Sequence, residues 1–133
     1  MVYRQTLLVL LAEKHYINQA NMLSKNQVKL ITSLSQKKHR DETGLFVAEG
    51  TKLVLEIAHF FQIRLLVATA GWASQFESQV QSPISIVTQD ELSKISGQKT
   101  PQGVLAVFEK NKTAFSIPEI ANSLSLALDD VQD

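Results

Sequence analysis

Cysteine is absent from this chain of 133 residues. Its absence excludes disulfide frameworks, thiolate nucleophiles and thiolate metal sites, and it favours a reducing compartment, so we expect a cytoplasmic protein. Glycine and proline are scarce, at 5 and 3 residues, and collagen-like or disordered chains are excluded by composition. With 44% hydrophobic and 20% charged residues, the chain has the composition and length of about one globular domain.

Long apolar runs are also lacking. The longest membrane-like run, residues 7–12, has six residues and is followed at once by Glu13, Lys14 and His15. Such a run is too short to span a bilayer, and no small-residue cleavage site follows it. We therefore expect neither a membrane span nor a secretory signal.

No metal or nucleotide motif is evident. The three histidines stand 24 and 20 positions apart, too far for a metal-binding pair on one helix: His15, His39 and His59. There is no nucleophile elbow, phosphate loop or glycine-rich dinucleotide motif. The acidic residues near the carboxyl end favour a turn over a cation site: Asp129, Asp130 and Asp133.

The charges are balanced overall but unevenly distributed. Residues 1–64 hold nine Lys or Arg and five Asp or Glu, whereas residues 65–133 hold four and eight. This asymmetry allows a surface that faces a polyanion in the first half. Because the net charge is zero, we expect such binding to be modest.

Apolar periodicity predicts alternating helices and strands. Ser24 and Gln27 have the residue types and spacing of a capping box before a first helix, and Thr88 and Glu91 predict another. Further helices are predicted from Thr51 and over residues 71–80, whereas residues 36–44 are predicted to be a polar loop. The predicted strands are residues 45–48, 63–68, 84–87 and 104–108. This alternation predicts a three-layer α/β/α sandwich.

The organised domain is expected to span residues 22–108. A helix signal follows Met22, so residues 1–21 are interpreted as an extension of uncertain order. Residues 109–123 lose the periodicity and are predicted to be a linker. Residues 124–133 alternate apolar and polar residues before an acidic turn, which predicts the first strand of a further domain.

A basic run, Lys37-Lys38-His39-Arg40, precedes the first strand. Alone, it fits a solvated surface or a phosphate contact. In the order of the chain, residues 36–56, 100–107 and 126–133 resemble motifs of the SpoU (TrmH-like, SPOUT superfamily) RNA 2′-O-ribose methyltransferases. The residues at motif positions are Arg40, Gly44, Phe46, Glu49, Gly50, Pro101, Gln102 and Gly103.

The resemblance implies the amino-terminal substrate-binding domain of such an enzyme, with a fold similar to ribosomal proteins that bind kinked RNA. It implies a parent protein that uses S-adenosylmethionine to methylate a ribose 2′-hydroxyl of rRNA or tRNA. The catalytic and cofactor-binding SPOUT domain would follow residue 133 and would form a homodimer. We therefore expect this fragment to bind RNA and neither to bind the cofactor nor to catalyse the reaction.

Roles differ among the matched residues. Lys37, Lys38 and Arg40 are the first candidates for RNA ligands, because their cations can neutralise phosphates without disturbing a core. Secondary candidates are Lys52, Lys99 and Gln102. Phe46 and Trp72 are predicted to pack in the core, and Gly44 and Gly50 to serve backbone geometry. Two alternatives remain open: a stand-alone RNA-binding module, and an α/β domain for small-molecule or protein interaction.

Overall fold

The computed structural model describes residues 23–112 together with positions 124 and 126. The predictions for residues 1–21, and for most of the linker and the final strand, lie outside the described residues. The helices are α1 (Lys25–Ser33), α2 (Lys37–Thr43), α3 (Thr51–Ile57), α4 (Ala70–Phe76) and α5 (Gln89–Ile95). The strands are β1 (Leu45–Glu49), β2 (Ile63–Thr69), β3 (Ile84–Val87) and β4 (Val104–Glu109).

The four strands form one mixed sheet in the order β1-β4-β2-β3. Strand β4 is antiparallel to both neighbours, with Leu45 opposite Glu109 and Val67 opposite Leu105, whereas β2 and β3 are parallel. Residues 104–108 of β4 are all buried. This agrees with their continuous apolar sequence, which is typical of a strand covered on both faces.

Each face of the sheet carries a separate apolar core. On one face, Val54 of α3 and Trp72 of α4 pack with Val104, Ala106 and Phe108 of β4. On the other face, the buried residues come from α1, α5 and the alternate positions of β2, β3 and β4: Ile31, Leu34, Leu92, Ile95, Val67, Val87, Leu105 and Val107. Successive side chains of a strand point to opposite faces, so β4 supplies both cores. The three-layer α/β/α prediction is confirmed.

Phenylalanine rings fill the first core at the end of the sheet where β1 begins. The Phe46 ring lies 5.2 Å from Phe61, edge to face, and 5.6 Å from Phe108 in a stacked arrangement. Such pairs stabilise a core beyond the area that they bury. Phe46 therefore packs in the core, as its apolar setting predicts.

Both predicted capping boxes are present. The Ser24 hydroxyl accepts from Gln27 N at 3.2 Å, and Gln27 Oε1 accepts from Ser24 N at 2.8 Å. Thr88 and Glu91 exchange the equivalent bonds at 3.2 and 2.8 Å. These contacts satisfy backbone N–H groups that have no partner within the helix.

The predicted polar loop over residues 36–44 is wrong, because Lys37–Thr43 forms helix α2. This helix has no buried residue, so it carries no apolar stripe that periodicity could detect. Its residues are favourable or tolerated in helices, and Gly44 ends it at a φ of 68°, the usual left-handed terminus.

Other boundaries shift slightly. The helix predicted over residues 71–80 is α4, which ends at Phe76, followed by a 3₁₀ turn over Glu77–Gln79. Strands β1, β2 and β4 each extend one residue further than predicted, to Glu49, Thr69 and Glu109. Among the described residues, no helix has the length and apolarity needed to cross a membrane.

Candidate nucleic-acid interface

Most of the motif residues meet at one end of the sheet. Because β1 and β4 are antiparallel, the end of β1 lies beside the start of β4, and Gly50 N donates to Val104 O at 3.2 Å. We call residues 49–52 and 96–103 the motif edge. The segments are about 50 positions apart in sequence, and the pairing of β1 with β4 brings them together.

Glu49 fastens the two segments of the motif edge. Its Oε1 accepts from the backbone N–H of Gly97 at 2.8 Å, and its Oε2 accepts from the hydroxyl of Ser96. Ser96 Oγ in turn accepts from Gln98 N at 3.0 Å. A carboxylate that receives such bonds fixes the start of the loop between α5 and β4 against the end of β1.

Two glycines of the motif edge have backbone conformations that other residues rarely adopt. Gly50 has a φ of 94° and Gly103 a φ of 81°. A Cβ atom at Gly103 would lie 3.3 Å from Thr69 Oγ1, and one at Gly50 would lie 3.2 Å from Gln102 Oε1. Both space and backbone angle therefore favour glycine at these two turns.

The side chains that this edge presents to solvent are polar. Lys52, Lys99 and Gln102 are all exposed, and neither lysine takes part in an ion pair formed within residues 23–112. Gln89 Nε2 donates to Pro101 O at 3.1 Å and so helps to hold the loop between α5 and β4, which carries Lys99 and Gln102. The arrangement offers cations and amides on a fixed backbone, which suits contacts to phosphate oxygens.

The basic run, residues 37–40, lies outside the motif edge. Lys37 and Lys38 are exposed on α2. This helix ends at Gly44, directly before β1. It therefore lies at the opposite end of β1 from Gly50. Lys38 Nζ lies 3.9 Å from Glu42, a weak exposed pair. The structure thus divides the predicted RNA-binding residues into two groups, one on α2 and one on the motif edge.

Arg40 faces the preceding helix. Its Nη1 donates to Leu34 O at 2.9 Å and to Ser35 O at 2.8 Å. These carbonyls follow the last turn of α1, where backbone acceptors lack helical partners. Arg40 therefore has a positioning role at the junction of α1 and α2, which the sequence did not indicate.

Sequence reasoning also missed exposed groups. Phe60, in the turn after α3, is 71% exposed, although its neighbour Phe61 packs against the core. Lys25 and Lys29 are exposed on α1. Their spacing of four residues within a predicted helix could have indicated that they share one face. Trp72 is buried as predicted, and its Nε1 donates to Thr51 Oγ1 at 2.9 Å.

The fold resembles several solved structures. A protein of the TrmH family of RNA methyltransferases from Porphyromonas gingivalis is 34% identical, with a TM-score of 0.61 over 71% of this chain and 38% of that chain. The AdoMet-bound rRNA methyltransferase from Sinorhizobium meliloti is 33% identical, with a TM-score of 0.56 over 69% of this chain and 36% of that chain.

A third structure shares the fold at lower identity. The SpoU methyltransferase AviRb from Streptomyces viridochromogenes is 20% identical, with a TM-score of 0.55 over 73% of this chain and 39% of that chain. The present chain thus spans less than two fifths of each of these proteins. No curated protein sequence matches it.

The sequence profile described as the MRM3-like substrate binding domain matches residues 25–106, which is more than half of the chain. The matched region contains α1 to α5 and nearly all of the sheet. The chain therefore belongs to the MRM3-like substrate-binding domain family, and its resemblance to the amino-terminal domain of the SpoU RNA methyltransferases is confirmed.

Proposed function

We propose that this domain binds structured rRNA or tRNA for a parent enzyme that transfers a methyl group from S-adenosylmethionine to a ribose 2′-hydroxyl. The observation that carries the proposal is the motif edge, where exposed Lys52, Lys99 and Gln102 stand on a backbone held by Glu49. Family membership supports RNA as the substrate class. An AdoMet-bound rRNA methyltransferase among the similar structures supports the methyl donor.

The chemistry of the surface favours contacts to the RNA backbone. Lysine ammonium groups neutralise phosphates, and the Gln102 amide can donate to phosphate or sugar oxygens. Such contacts read the shape of folded RNA more than its sequence. The zero net charge of the whole chain favours modest affinity, and binding through phosphate contacts makes that affinity fall as the salt concentration rises.

The methyl-transfer step is assigned to a domain of the parent outside this chain. This chain covers 38% and 36% of the two methyltransferase structures that it resembles at 34% and 33% identity, which supports placing that step elsewhere in the parent. We expect calorimetric titration of the fragment with S-adenosylmethionine to show no binding. A micromolar dissociation constant would contradict this assignment. We also propose that the parent is a cytoplasmic homodimer that dimerises through that further domain.

The test of RNA binding is fluorescence anisotropy with a labelled, folded rRNA fragment over a range of salt concentrations. The double variant Lys52→Ala and Lys99→Ala should weaken binding and should reduce the slope of log affinity against log salt by about 0.7 to 0.9 for each lost phosphate contact. Arg64→Ala is the control, because Arg64 is exposed at the start of β2, the opposite end of the sheet.

The control should leave the slope nearly unchanged. If the wild-type protein chain binds no folded RNA at low salt, the proposed function is wrong. If it binds RNA but the double variant behaves like the control, RNA binding stands and the motif edge is not the contact surface.

A further inference from the structure

Helix α1 presents a polar face that the proposed function does not use. Lys25, Lys29 and Thr32 are exposed at helical spacing, while Ile31 and Leu34 bury the other side against the sheet. Residues four apart lie on one face of a helix, and here they rise about 6 Å along its axis. The exposed face is therefore a short lysine row, fixed by a buried apolar stripe.

The sequence segment that contains this row carries charge of one sign. Residues 24–40 contain five Lys or Arg and no Asp or Glu, which is five of the 13 basic residues of the chain. The acids that follow on α2 already have partners: Asp41 pairs with Lys110 at 3.1 Å, and Glu42 lies 3.9 Å from Lys38 Nζ and 3.4 Å from His39 Nδ1. Within residues 23–112, no ion pair includes Lys25, Lys29 or Lys37.

Arg40 joins the two helices that carry these lysines. Its bonds to Leu34 O and Ser35 O hold α2 against the end of α1. The lysines of both helices therefore sit on one braced unit instead of on a mobile loop. We call Lys25, Lys29, Lys37 and Lys38 the basic ridge.

We propose that the basic ridge is a second phosphate-binding surface, in which Lys25 and Lys29 contact the backbone of the same RNA that the motif edge binds. This inference rests on the proposed function and adds α1 to it. Like charges placed on one face cost folding free energy, and a polyanionic ligand removes that cost by neutralising them.

The composition of the ridge favours RNA over a protein partner. The exposed positions within α1 are Lys25, Asn26, Lys29 and Thr32, with neither an aromatic nor a large apolar side chain among them. Protein interfaces are depleted in lysine and enriched in aromatic residues, methionine and arginine. Phosphate contacts need only cations and hydrogen-bond donors.

The experiment uses the same folded rRNA fragment and the same salt series. The double variant Lys25→Ala and Lys29→Ala should reduce the salt slope by about 1.4 to 1.8, because two phosphate contacts are lost. Alanine preserves helix propensity, so circular dichroism and the urea midpoint should show an intact fold. The charge-matched control is the double variant Arg64→Ala and Lys112→Ala, which removes two exposed cations outside the ridge and should change the slope much less.

The outcomes separate this inference from the proposed function. If the wild type binds RNA with a slope that responds to Lys52 and Lys99 but not to Lys25 and Lys29, the basic ridge is only a solvated surface and the proposed function stands. If the wild type binds no RNA, both proposals fail together. Poly-L-glutamate at equal charge and salt tests whether the ridge is specific for RNA. If it binds as tightly as RNA, and if the double variant loses the same affinity for both polymers, the proposal that the ridge is an RNA-binding surface is overturned.

Discussion

Glu49 Oε1, at the end of β1, accepts a hydrogen bond of 2.8 Å from the backbone N–H of Gly97, 48 residues further along the chain. The bond fixes the loop after α5 to the edge strand of the sheet. A Cβ atom at Gly97 would lie 3.4 Å from the same oxygen, so the close approach is compatible with a small residue there. Glu49 thus organises the backbone of the loop that displays Lys99 and Gln102.

Replacing Glu49 by alanine should destabilise the domain by about 1 to 3 kcal/mol, because charge-assisted hydrogen bonds to Ser96 and Gly97 are lost. Urea unfolding measures the change. Glu56→Ala is the control: Glu56 is an exposed acid on α3, and its loss should change the free energy of unfolding by less than about 0.5 kcal/mol. Equal effects of the two substitutions would show that the Glu49 bonds contribute nothing.

Gly103→Ala should destabilise the domain by about 1 to 3 kcal/mol, because alanine at a φ of 81° is strained. The added Cβ also meets Thr69 Oγ1 at 3.3 Å, and that hydroxyl caps α4 by accepting from Trp72 N. The matched substitution is Gly71→Ala, at an exposed position of α4 where nothing lies within 4 Å of the new atom.

Gly71→Ala should stabilise the domain by about 0.5 to 1 kcal/mol, because alanine is the better helix former. Thermal and urea unfolding of both variants give the comparison. If both substitutions changed the free energy of unfolding in the same direction, the positive φ of Gly103 would not be the cause of the destabilisation.

The sequence predicted the layers because they depend on local patterns. The continuous apolar run of β4 and the capping boxes at Ser24 and Thr88 are visible without any tertiary information. Helix α2 was missed for the converse reason: none of its residues is fully buried, so its sequence resembles a polar loop. Solvated helices give no periodic signal, and their propensity is a weak guide.

The candidate site was predicted only in part. The resemblance named motif positions that the structure brings together at the motif edge, but it did not indicate that Glu49 bonds to Ser96 and Gly97, since that pairing depends on the antiparallel match of β1 with β4. The contacts that a cation makes within the fold are likewise invisible in a basic run. Arg40 and Lys37 are three positions apart, yet of the two only Arg40 bonds to the carbonyls of Leu34 and Ser35, which directly follow α1.

Arg40 and Lys37 should therefore respond differently to substitution. Arg40→Ala should reduce the free energy of unfolding by about 1 to 3 kcal/mol, because two carbonyls at the end of α1 lose their charged donor. Lys37→Ala, at an exposed position, should change it by less than about 0.5 kcal/mol. Urea unfolding without RNA measures both.

RNA binding then separates the two roles. Lys37→Ala should lower the salt slope by about 0.7 to 0.9 while stability is kept. If Arg40→Ala left the urea midpoint unchanged and reduced only RNA affinity, the guanidinium would be a ligand and its positioning role would be refuted.

Glu91 makes the start of α5 sensitive to acid. Hydrogen bonds from the backbone N–H of Thr88, and then from its hydroxyl, lower the pKa of the Glu91 carboxyl below its ordinary value of 4.5, with a smaller contribution from the charge of Lys94. A carboxyl whose pKa is lower in the folded state stabilises that state fully above the unfolded pKa. The contribution is lost as the pH falls through the folded pKa.

The Glu91→Gln variant should therefore show a deficit in the free energy of unfolding that is constant at neutral pH and shrinks as the pH falls below about 4.5. The amide can still accept from Thr88 N but carries no charge, so the variant isolates the ionised form. Urea unfolding between pH 7 and pH 3 measures the difference. Asp90→Asn is the control, because it removes an acid from the same first turn without altering the Thr88 bonds. A deficit for Glu91→Gln that grows on acidification would reverse the sign of the linkage, and the capping carboxylate would not be the group responsible.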